Sequence, residues 1–226
     1  MESYRTEDEQ IDALKKWWSE NGKATVFGIL AALALVFGWQ GWQKQQASKQ
    51  VDASTQYQNL LEADAAAQAG DSQLGTARHL AQTLKSEYPG TTYASFAAMY
   101  LAKYAAAEDD WASAESELNW VIARRPEQPL LLQAKVRLAH VLLSQQRYEE
   151  AQQALAGTEL GSYAALIAET RGDILLAQNK REEALAAYRQ AREQLAALEN
   201  AGANPLLEMK IRDLTPAEAQ DGAGGE

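Results

Sequence analysis

The stretch TRGDILLAQNKREEALAAY, residues 170–188, decides the fold. Apolar side chains recur at helical spacing around a small residue, Gly172, and a second small residue, Ala184, follows twelve positions later. Only Gly or Ala lets two helices approach closely, so this spacing predicts two helices that touch at these positions. Tyr188, four residues after Ala184, is expected to fill the gap to the next unit.

The pattern occurs in two further segments, and a fainter copy of it precedes them. Ala114, Ala151 and Ala184 follow one another at intervals of 37 and 33 residues. This period resembles the tetratricopeptide repeat, a helix-turn-helix of about 34 residues. An ordinary helical bundle with alanine-rich contacts remains the alternative. The matching positions of the upstream segments are Ala102, Ala114 and Leu118, then Ala139, Ala151 and Leu155, with Ala77 in the faint first unit.

Ahead of the repeats lies an uncharged apolar stretch, ATVFGILAALALVFGWQGW, which spans Ala24–Trp42. A helix of about 20 residues is roughly 30 Å long, the thickness of a bilayer's hydrocarbon core. Tryptophans flank it on both sides, as at a membrane interface. We predict a transmembrane helix over residues 24–43. The alternative, a cleaved signal peptide, is disfavoured by the long acidic leader and by the lack of an A-x-A site after Trp42.

Basic residues give the expected orientation of this span. Lys15, Lys16 and Lys23 precede it, against Lys44 and Lys49 after it. The positive-inside rule therefore places the N-terminus in the cytoplasm and residues 44–214 in the periplasm.

The leader, residues 1–23, has its own helical pattern. Thr6 and Glu9 fit a capping box, and Ile11, Leu14 and Trp18 recur at helical spacing. Residues 21–22, an Asn-Gly pair, predict a stop. We expect a short amphipathic helix at the cytoplasmic interface.

The composition indicates an all-α chain, because 46% of the residues are hydrophobic, many of them alanine, and there are only five prolines. Cysteine is absent, which excludes disulfides and thiolate chemistry. The net charge of −10 disfavours nucleic acid as a partner. We expect a first helix over residues 47–69, a capping helix over Pro205–Leu214 and a disordered tail over residues 215–226.

Short motifs in a fixed order make the likeness more specific. They are IDALKKWW at 11–18, ENGKA at 20–24, Gly38-Trp39 with Trp42, Tyr57-Gln58-Asn59, Leu101-Ala102, Arg171-Gly172-Asp173 and MKIRDL at 209–214. The chain resembles the YfgM-type ancillary subunit of the SecYEG translocon, a family of Gram-negative inner-membrane proteins with tetratricopeptide-like repeats. The resemblance covers roughly residues 2–214.

The resemblance implies a non-enzymatic scaffold at the SecYEG translocon. It implies association with the periplasmic chaperone PpiD, and a role in passing exported client chains to periplasmic chaperones. Two alternatives stay open: a cytosolic leader that restrains a response regulator such as RcsB, and a scaffold for another cell-envelope complex. No catalytic constellation accompanies these features. His79 and His140 lack cysteine partners and metal-ligand spacing, so we expect no cofactor, no metal site and no enzyme activity.

The resemblance to tetratricopeptide superhelices also places the partner-binding surface. There the first helix of each unit lines the concave face at its second, fifth, ninth and twelfth positions. These positions correspond to Phe96, Met99, Lys103 and Ala106, then Gln133, Val136, His140 and Leu143, then Leu166, Glu169, Asp173 and Leu176. The mixture predicts an apolar groove with a charged rim. Burial of Leu143 and Leu166 between repeats is the alternative.

Small residues on one face of the span form a second candidate surface. They fall within about 140° at 100° per residue, which permits close helix packing in lipid. The face consists of Ala24, Gly28, Ala31, Ala34, Gly38 and Gly41.

Overall fold

The computed structural model describes residues 7–70, 73–157, 163–198, 202 and 204–215. Within them all regular structure is α-helical, which confirms the predicted all-α class. Thr6 of the expected capping box and residues 216–226 of the expected tail lie outside the described residues. The helices are α1 Glu7–Gln68, α2 Leu74–Glu87, α3 Thr92–Ala107, α4 Trp111–Ala123, α5 Gln128–Ser144, α6 Tyr148–Ala154, α7 Ala164–Ala177, α8 Arg181–Ala196 and α9 Pro205–Leu214.

Three helix pairs correspond to the three repeats seen in the sequence: α3 with α4, α5 with α6, and α7 with α8. The small residues of the pattern are buried where the helices touch, as predicted. The closest approach is at Gly172, where an added β-carbon would collide with the ring of the fully buried Tyr188. The repeat pattern therefore specifies the helix contacts and not only the helix lengths.

The turn inside each pair uses the same backbone conformation. Asp109, Gln146 and Asn179 have φ values of 58°, 60° and 62°, the left-handed region. Each lies five residues before the second small residue of its repeat, and the next residue's N–H donates back to a carbonyl near the end of the first helix. This is the common left-handed end of a helix, and Asn or Asp tolerates it better than most residues.

The chain divides into two compact units, one up to Asp52 and one from Ala53 onward. In the first unit α1 is apolar and its large hydrophobic side chains are exposed. The predicted stop at Asn21 is wrong: α1 continues through it, with Asn21 Nδ2 donating to Trp17 O at 3.2 Å and Thr25 Oγ1 donating to Asn21 O at 3.0 Å. One glycine in a helix costs only about 1 kcal/mol, too little to end a helix of 62 residues.

The second unit begins with the last four turns of α1. Ala53, Leu60 and Ala63 of this segment are buried in one cluster with residues of α2 and α3, which gives the faint first unit a real core. At the other end α9 packs on α8, with Leu207 and Ile211 buried beside Tyr188. The expected capping helix over Pro205–Leu214 is confirmed.

Candidate binding groove

Two cavities of about 410 and 370 Å³ lie between the end of α1, α3, α4 and α5. Met99, Lys103 and Arg137 line both of them, so the two form one surface, here called the central groove. The first cavity is completed by Tyr57, Asp64, Gln68, Phe96, Tyr100 and Gln133, and the second by Ala102, Ala106, Trp111, Leu118, His140, Val141 and Ser144.

The structure brings six of the sequence-predicted groove residues of α3 and α5 together in the central groove: Phe96, Met99, Lys103, Ala106, Gln133 and His140. Val136 is 5% exposed and belongs to the core, and Leu143 packs against the same core. Neither of these two lines the two cavities. Gln133 Nε2 donates to the Tyr163 hydroxyl at 3.0 Å.

One end of the central groove is aromatic. The ring of Tyr57 lies 5.5 Å from that of Phe96 and 6.4 Å from that of Tyr100, distances typical of aromatic pairs. Burial, followed by the neighbouring Tyr100 hydroxyl, raises the pKa of Tyr57 to about 12. The ring therefore stays neutral and offers an apolar wall with a polar tip. Sequence reasoning missed Tyr57 as a groove residue because α1 falls outside the three well-formed repeats.

Lys103 does not present a free charge to the groove. Its Nζ donates to both oxygens of Asp64, at 2.8 and 3.0 Å, and Tyr104 donates its hydroxyl proton to the same carboxylate at 2.9 Å. Burial alone would raise the pKa of Asp64, but the hydrogen bonds from Lys103, Tyr104 and Gln68 outweigh it and hold that pKa below its usual value. This ion pair joins α1 to α3.

Arg137 and His140, one turn apart on α5, are different. Within the part of the chain that the structure describes, neither forms a hydrogen bond or an ion pair, and both side chains are exposed. Desolvation by the groove walls lowers the pKa of His140, with Asp173 and Glu169 acting against that shift and Lys210 with it. The middle of the groove thus has a guanidinium without an internal partner.

The acidic residues predicted for the third repeat are engaged internally. Lys210 Nζ of α9 donates to Glu169 Oε1 at 2.8 Å and to Asp173 Oδ1 at 2.7 Å. The Tyr188 hydroxyl also donates to Asp173 Oδ1, at 2.7 Å. Burial would lower the pKa of Lys210, but these hydrogen bonds outweigh it and raise that pKa. Leu166, on the same helix, is 40% exposed.

The span residues form no contact that would reveal a partner. All six residues of the small face are exposed on α1, and no atom lies within 4 Å of a β-carbon added at Gly28, Gly38 or Gly41. Within the described residues, α1 is the one helix long and apolar enough to cross a membrane. The tryptophans at the two ends of the apolar stretch form ring pairs, with centroids 6.4 Å apart for Trp17 and Trp18 and 5.1 Å apart for Trp39 and Trp42.

Comparison with known proteins places this architecture. A tetratricopeptide repeat-like domain family matches residues 15–216. A protein of Neisseria gonorrhoeae named ancillary SecYEG translocon subunit is 30% identical over 215 residues, which cover 95% of this chain and 100% of that relative. The chain belongs to this family. Ancillary SecYEG translocon subunits of Haemophilus influenzae, at 29% identity over 94% of this chain, and of Escherichia coli, at 27% over 83%, are also similar. No solved structure matches the chain.

The family membership confirms the resemblance drawn from the motifs. An ancillary translocon subunit with an apolar helix like α1 fits an inner-membrane protein. The repeat-like domain and the relatives' names suggest a non-enzymatic scaffold.

Proposed function

We propose that this protein is a membrane-anchored, non-enzymatic scaffold at the SecYEG translocon that links exported proteins to periplasmic chaperones. The central groove is the observation that carries the proposal. Its walls include half-buried rings such as those of Tyr57 and Phe96, and both of its cavities are lined by Arg137, which has no hydrogen bond or ion pair within the described residues. Such a surface fits a segment of another protein better than a small substrate.

The test of the scaffold role is photocrosslinking from the groove in living cells. A photoreactive residue replaces His140, which is exposed in the groove, and a matched one replaces Arg189, which is exposed on α8 and lines none of the cavities described above. We expect the His140 probe to trap translocon-associated chaperones such as PpiD or exported chains, and the Arg189 probe to trap neither. Equal capture from both positions would contradict a role for the groove.

The orientation is a further part of the proposal. The excess of lysines before the span supports a cytoplasmic N-terminus. Alkaline phosphatase fused after Ala47 should be active in a Gram-negative host, and a fluorescent protein fused there should be dark. The reverse result would place the repeats in the cytoplasm and remove the periplasmic role.

The small face of the span is proposed as the contact with translocon helices. Glycine and alanine on one face allow two helices to approach closely in lipid. Gly28→Leu with Gly38→Leu should reduce copurification with SecYEG and leave insertion unchanged. The control is Val26→Leu with Val36→Leu, two exposed positions outside this face. Unchanged copurification of the glycine variant would assign the contact to another surface.

The exposed leader favours one alternative. Ile11 is 50% exposed and Leu14 66% exposed, an apolar face available to a membrane surface or to a cytosolic protein such as a response regulator. Replacement of residues 1–23 by a foreign leader separates the two roles. Export phenotypes that survive the exchange support the scaffold, whereas their loss together with altered response-regulator output supports the regulator.

A further inference from the structure

The central groove has a defined electrostatic pattern along its length. Lys103, which lines both cavities, is paired with Asp64 at 2.8 Å, and Asp173 on α7, outside both cavities, is paired with Lys210 at 2.7 Å. Arg137 also lines both cavities, and it has no hydrogen bond or ion pair within the described residues. The groove therefore has one positive charge that the protein itself leaves uncompensated.

The positive charge of Arg137 contrasts with the acidic character of the whole protein. The protein has a net charge of −10, so its surface as a whole repels acidic segments. At Arg137 the local sign is reversed, and a guanidinium is suited to bind a carboxylate with two parallel hydrogen bonds. An arginine that faces solvent in a groove gains most from a partner that also covers it from water.

Apolar pockets lie on both sides of Arg137. On one side the rings of Tyr57, Phe96 and Tyr100 form the aromatic end. On the other, the second cavity is walled mainly by apolar side chains, including Ala106 and Trp111. A partner segment that places a carboxylate on Arg137 would thus bury the side chains next to it in these two pockets.

We propose that the central groove recognises a protein segment in which an acidic residue is flanked by apolar residues, with Arg137 binding the carboxylate. This rests on the proposed function, and it adds the chemistry of the segment that the scaffold holds. Half-buried rings such as that of Phe96 supply affinity for many apolar sequences, and Arg137 selects among them. His140, one turn away, adds a donor next to the same carboxylate.

The test uses the full-length chain in nanodiscs of neutral lipid and two labelled nonapeptides. Both peptides have leucines at the same positions, and they differ only at the centre, glutamate in one and glutamine in the other. We expect the glutamate peptide to bind about tenfold more tightly by fluorescence polarisation, the size of one charge-assisted hydrogen bond pair. Empty nanodiscs give the blank.

Variants assign the difference to its residue. Arg137→Gln should bring the affinity ratio of the two peptides close to one. The matched control Arg189→Gln, an exposed arginine outside the cavities, should keep it near tenfold. Ala106→Leu, which fills the second cavity, should weaken both peptides and preserve the ratio.

Three results would overturn the assignment. They are equal binding of the two peptides to the unaltered chain, equal behaviour of the Arg137 and Arg189 variants, and loss of the difference when inorganic phosphate replaces chloride at constant ionic strength. The last would make Arg137 a general anion site. Copurification of the unaltered chain with SecYEG, measured in parallel, tests the proposed function separately. Failure of the peptide comparison with copurification intact would overturn only the carboxylate recognition.

Discussion

The first helices of two successive repeats, α5 and α7, treat their polar groove residues differently. His140 and Asp173 hold equivalent positions, each one residue after the small residue of its helix, Ala139 or Gly172. On α5, His140 has no internal partner in the described structure, whereas on α7 Asp173 accepts from Lys210 and Tyr188. The cause lies in the packing: Lys210 of α9 pairs with Asp173, whereas the acids of α7 that act on His140 form no hydrogen bond or ion pair with it in the described structure.

The difference shows that a charged residue at a predicted groove position is not always available to bind a partner. Glu169 and Asp173 looked like an acidic rim in the sequence, but in the structure they join α7 to α9. Arg137 attracted no attention in the sequence, yet it is the charged groove residue that the fold leaves free. The charges available to a partner are those that remain without an internal partner after the repeats have packed.

The largest loss of stability is expected when the ion pairs between α7 and α9 are removed. Lys210→Met keeps the aliphatic stem and leaves two carboxylates, 12% and 20% exposed, without their cation. We expect a loss of about 2–3 kcal/mol in the free energy of unfolding, since an uncompensated, partly buried charge is costly. Urea denaturation of the full chain, followed by circular dichroism, measures it.

A matched ion pair controls this result. Arg78 and Glu108 lie at the surface, 35% and 51% exposed. Arg78→Met should change the free energy of unfolding by about 1 kcal/mol or less. If Lys210→Met costs no more than this, α9 is not held by its ion pairs.

A second substitution tests why α7 has glycine where α5 has alanine. Gly172→Ala should destabilise by about 1–3 kcal/mol, because its methyl group meets the buried ring of Tyr188. In the preceding repeat the residue equivalent to Tyr188 is Leu155, which directly follows α6, and there Ala139 fits.

The double mutant separates collision from backbone effects. In a Tyr188→Leu background Gly172→Ala should become neutral or stabilise by up to about 1 kcal/mol, the usual gain of alanine over glycine in a helix. The measured quantity is the coupling energy from the four unfolding curves. Additive effects would mean that the two side chains do not compete for the same space.

A smaller effect is expected from His140 on α5, through the pH dependence of the free energy of unfolding. The groove lowers the pKa of His140 from its usual 6.5, mainly by desolvation, with Asp173, Glu169 and Lys210 as the charged groups that act on it. The unfolded chain then binds a proton more readily than the folded chain. The free energy of unfolding should therefore fall as the pH drops below 6.5 toward the folded pKa, and be unaffected by this group above 6.5. His140→Gln should reduce that slope; the same slope with and without His140 would refute the shift.

The smallest change in the free energy of unfolding is expected at Arg137, the proposed carboxylate-binding residue. Arg137→Gln should change the free energy of unfolding by less than about 0.5 kcal/mol, because no described hydrogen bond or ion pair is lost. Urea denaturation measures it beside Lys210→Met. A loss comparable to that of Lys210→Met would show that Arg137 serves the fold and is not reserved for a partner.

Much of the fold was predictable because its signals are local and periodic. The intervals between Ala114, Ala151 and Ala184 predicted the helix pairs, and Pro205 marked the start of α9. The predicted stop at Asn21 failed for the opposite reason. The Asn-Gly pair disfavours a helix locally, but the many favourable turns on either side of it in a long helix outweigh that cost.

The groove was only partly predictable. The resemblance to tetratricopeptide superhelices assigned Phe96, Met99 and His140 to the concave face, and the structure places them in one groove. Spacing within one helix cannot reveal that Asp64, 39 residues earlier, reaches Lys103, or that Tyr57 joins the aromatic wall. Those contacts depend on how helices far apart in the chain pack.

The sequence by itself determined the all-α class, the apolar span and the small residues at which the repeat helices meet, because each is written in the spacing of side chains along one or two neighbouring helices. The tertiary structure alone decided which charges are paired. Lys103 and Asp173 are held by residues 39 and 37 positions away, whereas Arg137 has no hydrogen bond or ion pair among the residues that the structure describes. The physical reason is that an ion pair needs two side chains within about 4 Å, a distance set by the packing of the repeats and not by the order of residues.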